Sequence, residues 1–519
     1  MEPSLDRADH GAMKVRVLPH TDRGRAVLVF LVLLAVFGYF FPRLNNWGAN
    51  SRMDLIYALG DKGTVMIDDY HLNTQDRAYF EGHYYLEKSI GPSLAGLPFY
   101  MVFKGLVQLP PLEAMANADA GPGALPTLES IYREHRFPEP GTPGAGHPLI
   151  YHAMALTFVT FFSVAVLSAL LGTVVYLMAS RFAERPGDAV VLAFAFALGT
   201  PAFAFSNELF QHQTGAFGAF VGFFLLWRIV EEGAPKRGLW LVGVLFGYAA
   251  ASEYVLAPIL AVVVMWATIR LRPRRHVLRV VAGAVPWVVA TATYNLLAFG
   301  TPLPIGYRYS VFGVPAWTLF GFVRPSWEAF YGITFSPYRG LFLLSPFLLL
   351  APIGIYRMVR HDRTRRLAAL VLLVSGALFA YNVCYWVWDG GGSVGPRHLV
   401  PMLPFLSLPV IFVLNAAKTV WARAGILLLI VVSIVAVWSQ FLAGNNFPPD
   451  SVGNPLLDYA LPLLGRGEVR FNMASVFGLR GLVTLVPLVF LLAVILVLVP
   501  WGERMWLRRR ASGPTPAQT

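Results

Sequence analysis

The densest run of chemically able side chains is IDDYHLNTQDRAYFEGHYYLEKSIGPS, residues 67–93. Asp68, Asp69, Asp76, Glu81 and Glu87 supply carboxylates, His71 and His83 imidazoles, and Arg77 and Lys88 cations. Tyr70, Tyr79, Tyr84 and Tyr85 lie between them. A carboxylate close to an apolar boundary is held above its ordinary pKa and can act as a base, and aromatic faces suit sugar rings and lipid headgroups. A solvated loop kept wet by its charges is the competing reading of the same residues. His71, His83 and Glu87 show no regular ligand spacing of the H-E-x-x-H kind, so no metal cofactor is expected to be required.

A second set of candidates lies far along the chain. Arg308 in PIGYRYS, Arg339 in FSPYRGLF, and Arg397 with His398 in WDGGGSVGPRHL are cations at the ends of apolar runs. Each also has a plainer account: Arg397 and Arg339 as side chains snorkelling to headgroups, Arg308 as part of an aromatic belt between Tyr307 and Tyr309. Glu208 and His212 in NELFQHQTG, Glu253 in ASEY and Asp389 beside the GGGS turn are ionisable residues at the ends of apolar runs. Such residues are functional candidates at membrane depth. For Glu208 and His212, polar satisfaction of a tight turn between two helices is the rival role.

The elements that must position these residues are membrane helices. The chain has 519 residues, 56% of them hydrophobic and only 13% charged, with a mean hydropathy of +0.57; ordinary globular domains carry roughly a quarter charged residues. Apolar runs near the length that a bilayer core requires fall at 26–42, 150–180, 188–207, 213–230, 238–253, 254–270, 279–298, 341–357, 367–388, 399–415, 424–441 and 482–500. The expectation is an all-α polytopic bundle of about twelve transmembrane helices, residues 26–500, with a basic tail at 1–25 and a second tail at 501–519. The single cysteine, Cys384, excludes an intrachain disulfide and thiolate metal sites.

Orientation follows from charge. The net charge of +12 is concentrated in short connections such as RLRPRRHVLR at 270–279 and RMVRHDRTRR at 357–366, which the positive-inside rule places in the cytoplasm. Both termini then lie in the cytoplasm of a plasma (inner) membrane protein, and bases confined to short inter-helix loops argue against nucleic-acid binding. The long connections, 43–148, 300–340 and 442–480, all fall outside, where long loops usually carry function. Within the first, SRMDLIYALG reads as a short helix on the membrane surface, SLAGLPFYMVFKGL at 93–106 as interfacial or re-entrant because of Pro98, and the Gly and Pro rich stretch at 121–148 as an irregular connector.

The run Gly82, Tyr84, Tyr85, Glu87, Lys88, Gly91, Pro92 is similar to the G-x-x-Y-x-x-K-x-P-G pattern of the first external loop of membrane-embedded glycosyltransferases of the C superfamily. It resembles in particular the bacterial relatives of protein O-mannosyltransferases and the lipid A aminoarabinose transferases. The resemblance is densest at 50–100. It implies inverting sugar transfer from a polyprenyl-phosphate donor to a glycan, glycolipid or protein acceptor on the extracytoplasmic face. In that chemistry a carboxylate takes the proton of the acceptor hydroxyl, and cationic donors stabilise the phosphate leaving group without a general acid. The resemblance implies phosphate-binding roles for Lys88, Arg308, Arg339, Arg397 and His398, and acceptor or sugar contacts for His83, Tyr84, Tyr85, Glu87, Glu208 and His212. The family's paired acids before the loop helix would fall at Asn50 and Ser51, neither acidic. The base is therefore sought at Asp69, then Asp76, with Asp68 and Asp54 as further candidates; a side chain facing water from its helix is the plainer account of Asp54.

A twelve-helix secondary transporter is the main rival. Carriers tend to show related halves and ionisable residues near the middle of spans, and neither is visible here. A non-catalytic envelope partner and a glycan ligase or polymerase are the other readings.

Overall fold

The computed structural model describes residues 20–117, 142–303, 306–313 and 321–511, without the side chains of 20, 21 and 500–511. The two tails beyond these residues, and positions 121–141 of the Gly and Pro rich stretch, lie outside the described residues. The protein is an all-α polytopic membrane protein. Seven helices among the described residues are long and apolar enough to cross a bilayer: Leu149–Ala179, Gln211–Glu231, Arg274–Phe299, Asp362–Val383, Arg397–Ala416, Val420–Leu442 and Gly481–Val499. The other five apolar runs fall on α1 (His20–Tyr39) and on four shorter helical stretches, Pro186–Leu198, Leu239–Ser252, Leu256–Arg270 and Pro346–Val359. Two of these are broken by proline: a Gly199–Thr200–Pro201 corner ends the helix at Leu198, and Pro346 follows the non-helical Ser345.

Helix packing relies on small residues, as expected where lipid offers no hydrophobic drive between helices. A Cβ on Gly243 would stand 2.0 Å from the carbonyl oxygen of Val280, and one on Gly283 would stand 2.1 Å from that of Trp240. Leu239–Ser252 and Leu278–Phe299 therefore meet backbone to backbone.

Ion pairs sort the bundle into two ends. At the basic end Arg423 meets Asp188 at 2.5 Å, Arg181 meets Glu232 at 2.7 Å, and Arg270 and Arg366 flank Glu231. At the opposite end the long loops gather, and fully buried Glu208 accepts from Arg43 at 2.9 Å and Arg470 at 2.7 Å, with Asn46 at 3.2 Å. That triad ties the exit of α1 to the turn before Gln211 and to the last long loop.

The first long loop is a packed layer. α2 (Trp47–Tyr57) starts at Asn46, whose side chain accepts from the Ala49 N–H. Every residue from Gly48 to Tyr57 is buried, so the helix sits beneath the loop and not on the membrane surface: it is covered by residues that return from elsewhere in the chain. β1 (Arg77–Phe80) and β2 (His83–Leu86) pair antiparallel, Arg77 opposite Leu86 and Phe80 opposite His83. Glu81 and Gly82, at φ 50° and 91°, form the two-residue turn, the conformation in which Gly is favoured. α3 (Gly91–Leu106) continues through Pro98 without a break and presses Gly91 against the backbone of Ser252.

Under this layer Asp61 accepts from Lys104 at 2.8 Å, Tyr100 at 2.9 Å and His147 at 2.9 Å. Burial alone would push its carboxyl up, but these donors hold it down to about 2.

Two outcomes follow. Glu208→Gln leaves Arg43 and Arg470 buried without a counter-charge and lowers stability by about 3–5 kcal/mol, read as a fall in the thermal midpoint in detergent. For Asp61 the folded-state pKa is depressed, so its contribution, about 2 kcal/mol, is complete above pH 4 and is lost as pH falls through about 2. The stability gap between wild type and Asp61→Asn should therefore close over that window; a gap unchanged from pH 5 to pH 2 would contradict the Asp61 network.

Candidate functional site

Phe210 ends the turn NELF just before the helix Gln211–Glu231. Its buried ring receives two cations: Arg52 from α2 at 5.5 Å and Arg397, the first residue of Arg397–Ala416, at 5.6 Å. An aromatic face attracts a guanidinium by about 1–2 kcal/mol when water is excluded, which offsets part of the repulsion between two arginines sharing it. Arg52 is fixed further by donating to the Gly48 carbonyl and to the Gln211 side-chain oxygen. Burial draws Arg52 down to about 10, where it is still a cation at neutral pH.

Lys88 closes the group. Its Nζ lies 2.5 Å from Glu87 and 3.4 Å from Asp76, with the Tyr307 ring at 5.0 Å. Burial favours the neutral amine, but Asp76 and Glu87 outweigh it and hold Lys88 above its ordinary value. Burial pushes Glu87 up, against the pull of Lys88. Asp76 is part open to solvent, lies against Gly48 and Lys88, and is within electrostatic reach of Arg52. Behind Phe210, stacked on it at 5.9 Å, His212 bonds Glu253 at 3.1 Å, and His398 stands edge-on to His212 at 5.2 Å.

The structure thus brings Asp76, Glu87, Lys88, Arg397, His398 and His212 to one end of the bundle. It sets the other candidates elsewhere. Asp69 pairs with Lys62 at 2.6 Å, both side chains more than half exposed. Asp68 accepts from His83 at 2.7 Å and from the Tyr84 N–H at 2.7 Å, which fixes the hairpin. Asp54 does not face water as expected: it is fully buried, takes a hydrogen bond from Asn73 at 3.0 Å, and is pushed well above the carboxylate range by burial. The reason is the loop layer that covers both faces of α2.

Tyr84 stacks on His71 at 3.9 Å and Tyr85 packs on Phe299 at 5.5 Å. Arg308 is exposed, while its neighbour Tyr307 turns inward to Lys88. Arg339 is buried and donates to the Gly391 carbonyl at 2.6 Å, holding a turn in which Gly390 and Gly391 have positive φ. Glu208 serves the buried triad. A depression of about 390 Å³ lined by Ala261, Met265, Thr268 and Arg274 lies at the basic end and carries no acid.

Arg52, Phe210, Gln211 and Tyr307 escape sequence reasoning. Arg52 is a lone basic residue on a short helix, and nothing in its spacing relates it to Arg397. Phe210 is one of 38 phenylalanines.

No protein-family profile matches the sequence, and no curated protein is similar to it. Among solved structures, the crystal structure of ArnT from Cupriavidus metallidurans bound to undecaprenyl phosphate is similar at a TM-score of 0.41 and 16% identity, over 79% of this chain; the chain spans 62% of that one.

Proposed function

We propose that the protein is a membrane glycosyltransferase of the GT-C type. In this reading it moves a sugar from a polyprenyl-phosphate donor to an acceptor hydroxyl, with inversion and with Asp76 as general base. The observation that carries the reading is the gathering of Arg52, Lys88 and Arg397 around Phe210 and Asp76, at the end of the bundle opposite the basic one. Asp76 and Glu87 are both engaged by Lys88, and among the described residues Arg52 and Arg397 form no salt bridge, which suits this largely dehydrated corner to an anionic ligand.

The transfer itself is one displacement. The acceptor oxygen attacks the anomeric carbon, the bond from that carbon to the phosphate oxygen breaks, and the electron pair leaves with the polyprenyl phosphate. Asp76 takes the hydroxyl proton. Lys88 and Arg397 stabilise the departing phosphate by charge-assisted hydrogen bonds already in place before the reaction, and so no general acid is needed. Lys88 passes from Asp76 to the phosphate when donor binds, which leaves Asp76 free to act as a base. The basic end and both termini then lie in the cytoplasm of the inner membrane, and the site lies extracytoplasmically. The acceptor class is a glycan, a glycolipid or a protein.

Transfer from a radiolabelled polyprenyl-phosphate sugar in nanodiscs tests the base. Asp76→Asn should lower kcat by about 10²–10⁴-fold with donor affinity kept within a few-fold; unimpaired turnover by a folded Asp76→Asn protein removes Asp76 from the role. On the donor side, Arg397→Gln should weaken polyprenyl-phosphate binding by about tenfold or more, the scale of one charge-assisted hydrogen bond. Equal affinity in wild type and Arg397→Gln would mean that the phosphate binds elsewhere.

A further inference from the structure

We propose that His212, Glu253 and His398 form a binding site for one divalent transition-metal ion, zinc or a metal of similar ligand preference. One ligand atom of each lies within 4.8 Å of the other two, and all three side chains are buried. They come from three separate elements: the first turn of Gln211–Glu231, the residue that ends Leu239–Ser252, and the start of Arg397–Ala416. Two imidazoles and one carboxylate are a known donor set for zinc that leaves a fourth position open.

The unmet hydrogen-bonding capacity of the cluster points to a ligand. Glu253 Oε2 and His398 Nε2 are buried without a hydrogen-bond partner. Buried polar atoms without partners are costly, so two of them in one cluster call for an occupant. The His398 ring is held edge-on by Tyr381, Tyr385 and His212, and its Nε2 is engaged by no competing hydrogen bond. Glu253 Oε1 bonds His212 Nδ1 at 3.1 Å. A metal bound between them takes the place of that shared proton, which leaves to solvent.

Geometry permits closure. Tetrahedral ligands at zinc bond lengths stand roughly 3.4 Å apart, so the widest pair must draw in by up to about 1.4 Å from 4.8 Å, within reach of side-chain rotations. Charge opposes binding from one side: Arg52, Arg397 and Lys88 all bear on His212. Glu253 offsets part of that repulsion directly, and Asp76 and Glu87 neutralise Lys88. The assignment rests on these side chains and not on the transferase reading.

The test uses full-length protein in detergent, produced without a polyhistidine tag, stripped with chelator, reloaded with Zn²⁺ and desalted. Elemental analysis should find one zinc per chain, and X-ray absorption should show two imidazole ligands on it. His398→Ala and Glu253→Gln should each weaken zinc binding by about 100-fold, while His361→Ala, an exposed histidine at the basic end, should bind as wild type does. Zinc should also raise the thermal midpoint of the wild type by tying three elements together. Zinc well below one per chain in folded wild type overturns the site, as does X-ray absorption without imidazole. Equal affinity in wild type and folded Glu253→Gln places the ion elsewhere. Should His398→Ala fail to fold, the absorption spectrum of the wild type decides alone.

Discussion

Charge taken into an apolar bundle must be matched inside it, and Glu208 is where that constraint is met most completely. Its carboxylate holds Arg43 and Arg470 in a pocket with almost no solvent exposure at any of the three side chains; Asn46 adds a hydrogen bond to Glu208, and Asn207 accepts one from Arg470. Replacing one member leaves a buried charge with nothing to oppose it, which is far more costly than never having placed it there. The triad therefore locks three distant pieces of chain together. Since Glu208 lies two residues before Phe210, it also fixes where the Phe210 ring stands.

From Phe210 the constraint spreads to the candidate site. Two guanidinium groups on one ring would separate if their backbones were free. They are not: Arg52 is bound to Gly48 and Gln211, and Arg397 is held against Gly390 by a glycine-rich turn that Arg339 anchors. A Cβ on Gly390 would meet the Arg397 side chain at 2.9 Å. Arg339, a candidate for touching phosphate in its own right, is in place to shape the turn that presents Arg397.

The spans were legible because hydropathy is a property of each window alone: all twelve apolar runs fall on helices, broken where Pro201 and Pro346 interrupt them. The loop layer was less so. Burial of α2 on every face comes from residues far off in sequence, such as Tyr100 and Val159, and a period of apolar residues along α2 carries no trace of them. The β1–β2 hairpin had a local signal, Glu81–Gly82 between aromatic-rich runs, outweighed by the many charges around it. At the site, Lys88 stands out only through the resemblance of its run to a family pattern, whereas Arg52 has no such signal: its place is created by Phe210 and Gln211, some 159 positions away.

The cluster then divides its polar groups by how far they are already committed. Arg43, Glu208 and Arg470 are paired with each other, and Arg52 donates to the Gly48 carbonyl and Gln211. Lys88 is shared between two acids at 2.5 and 3.4 Å, so it can transfer a hydrogen bond from Asp76 to an incoming anion and still keep Glu87 as partner. Arg397 has a buried Nε without any partner, a donor already oriented and already dehydrated. A donor that needs no rearrangement stabilises developing negative charge better than one that must first leave water. Arg52 Nε is likewise buried without a partner, so Lys88, Arg397 and Arg52 are the cations of this corner with donor capacity left for an anionic ligand.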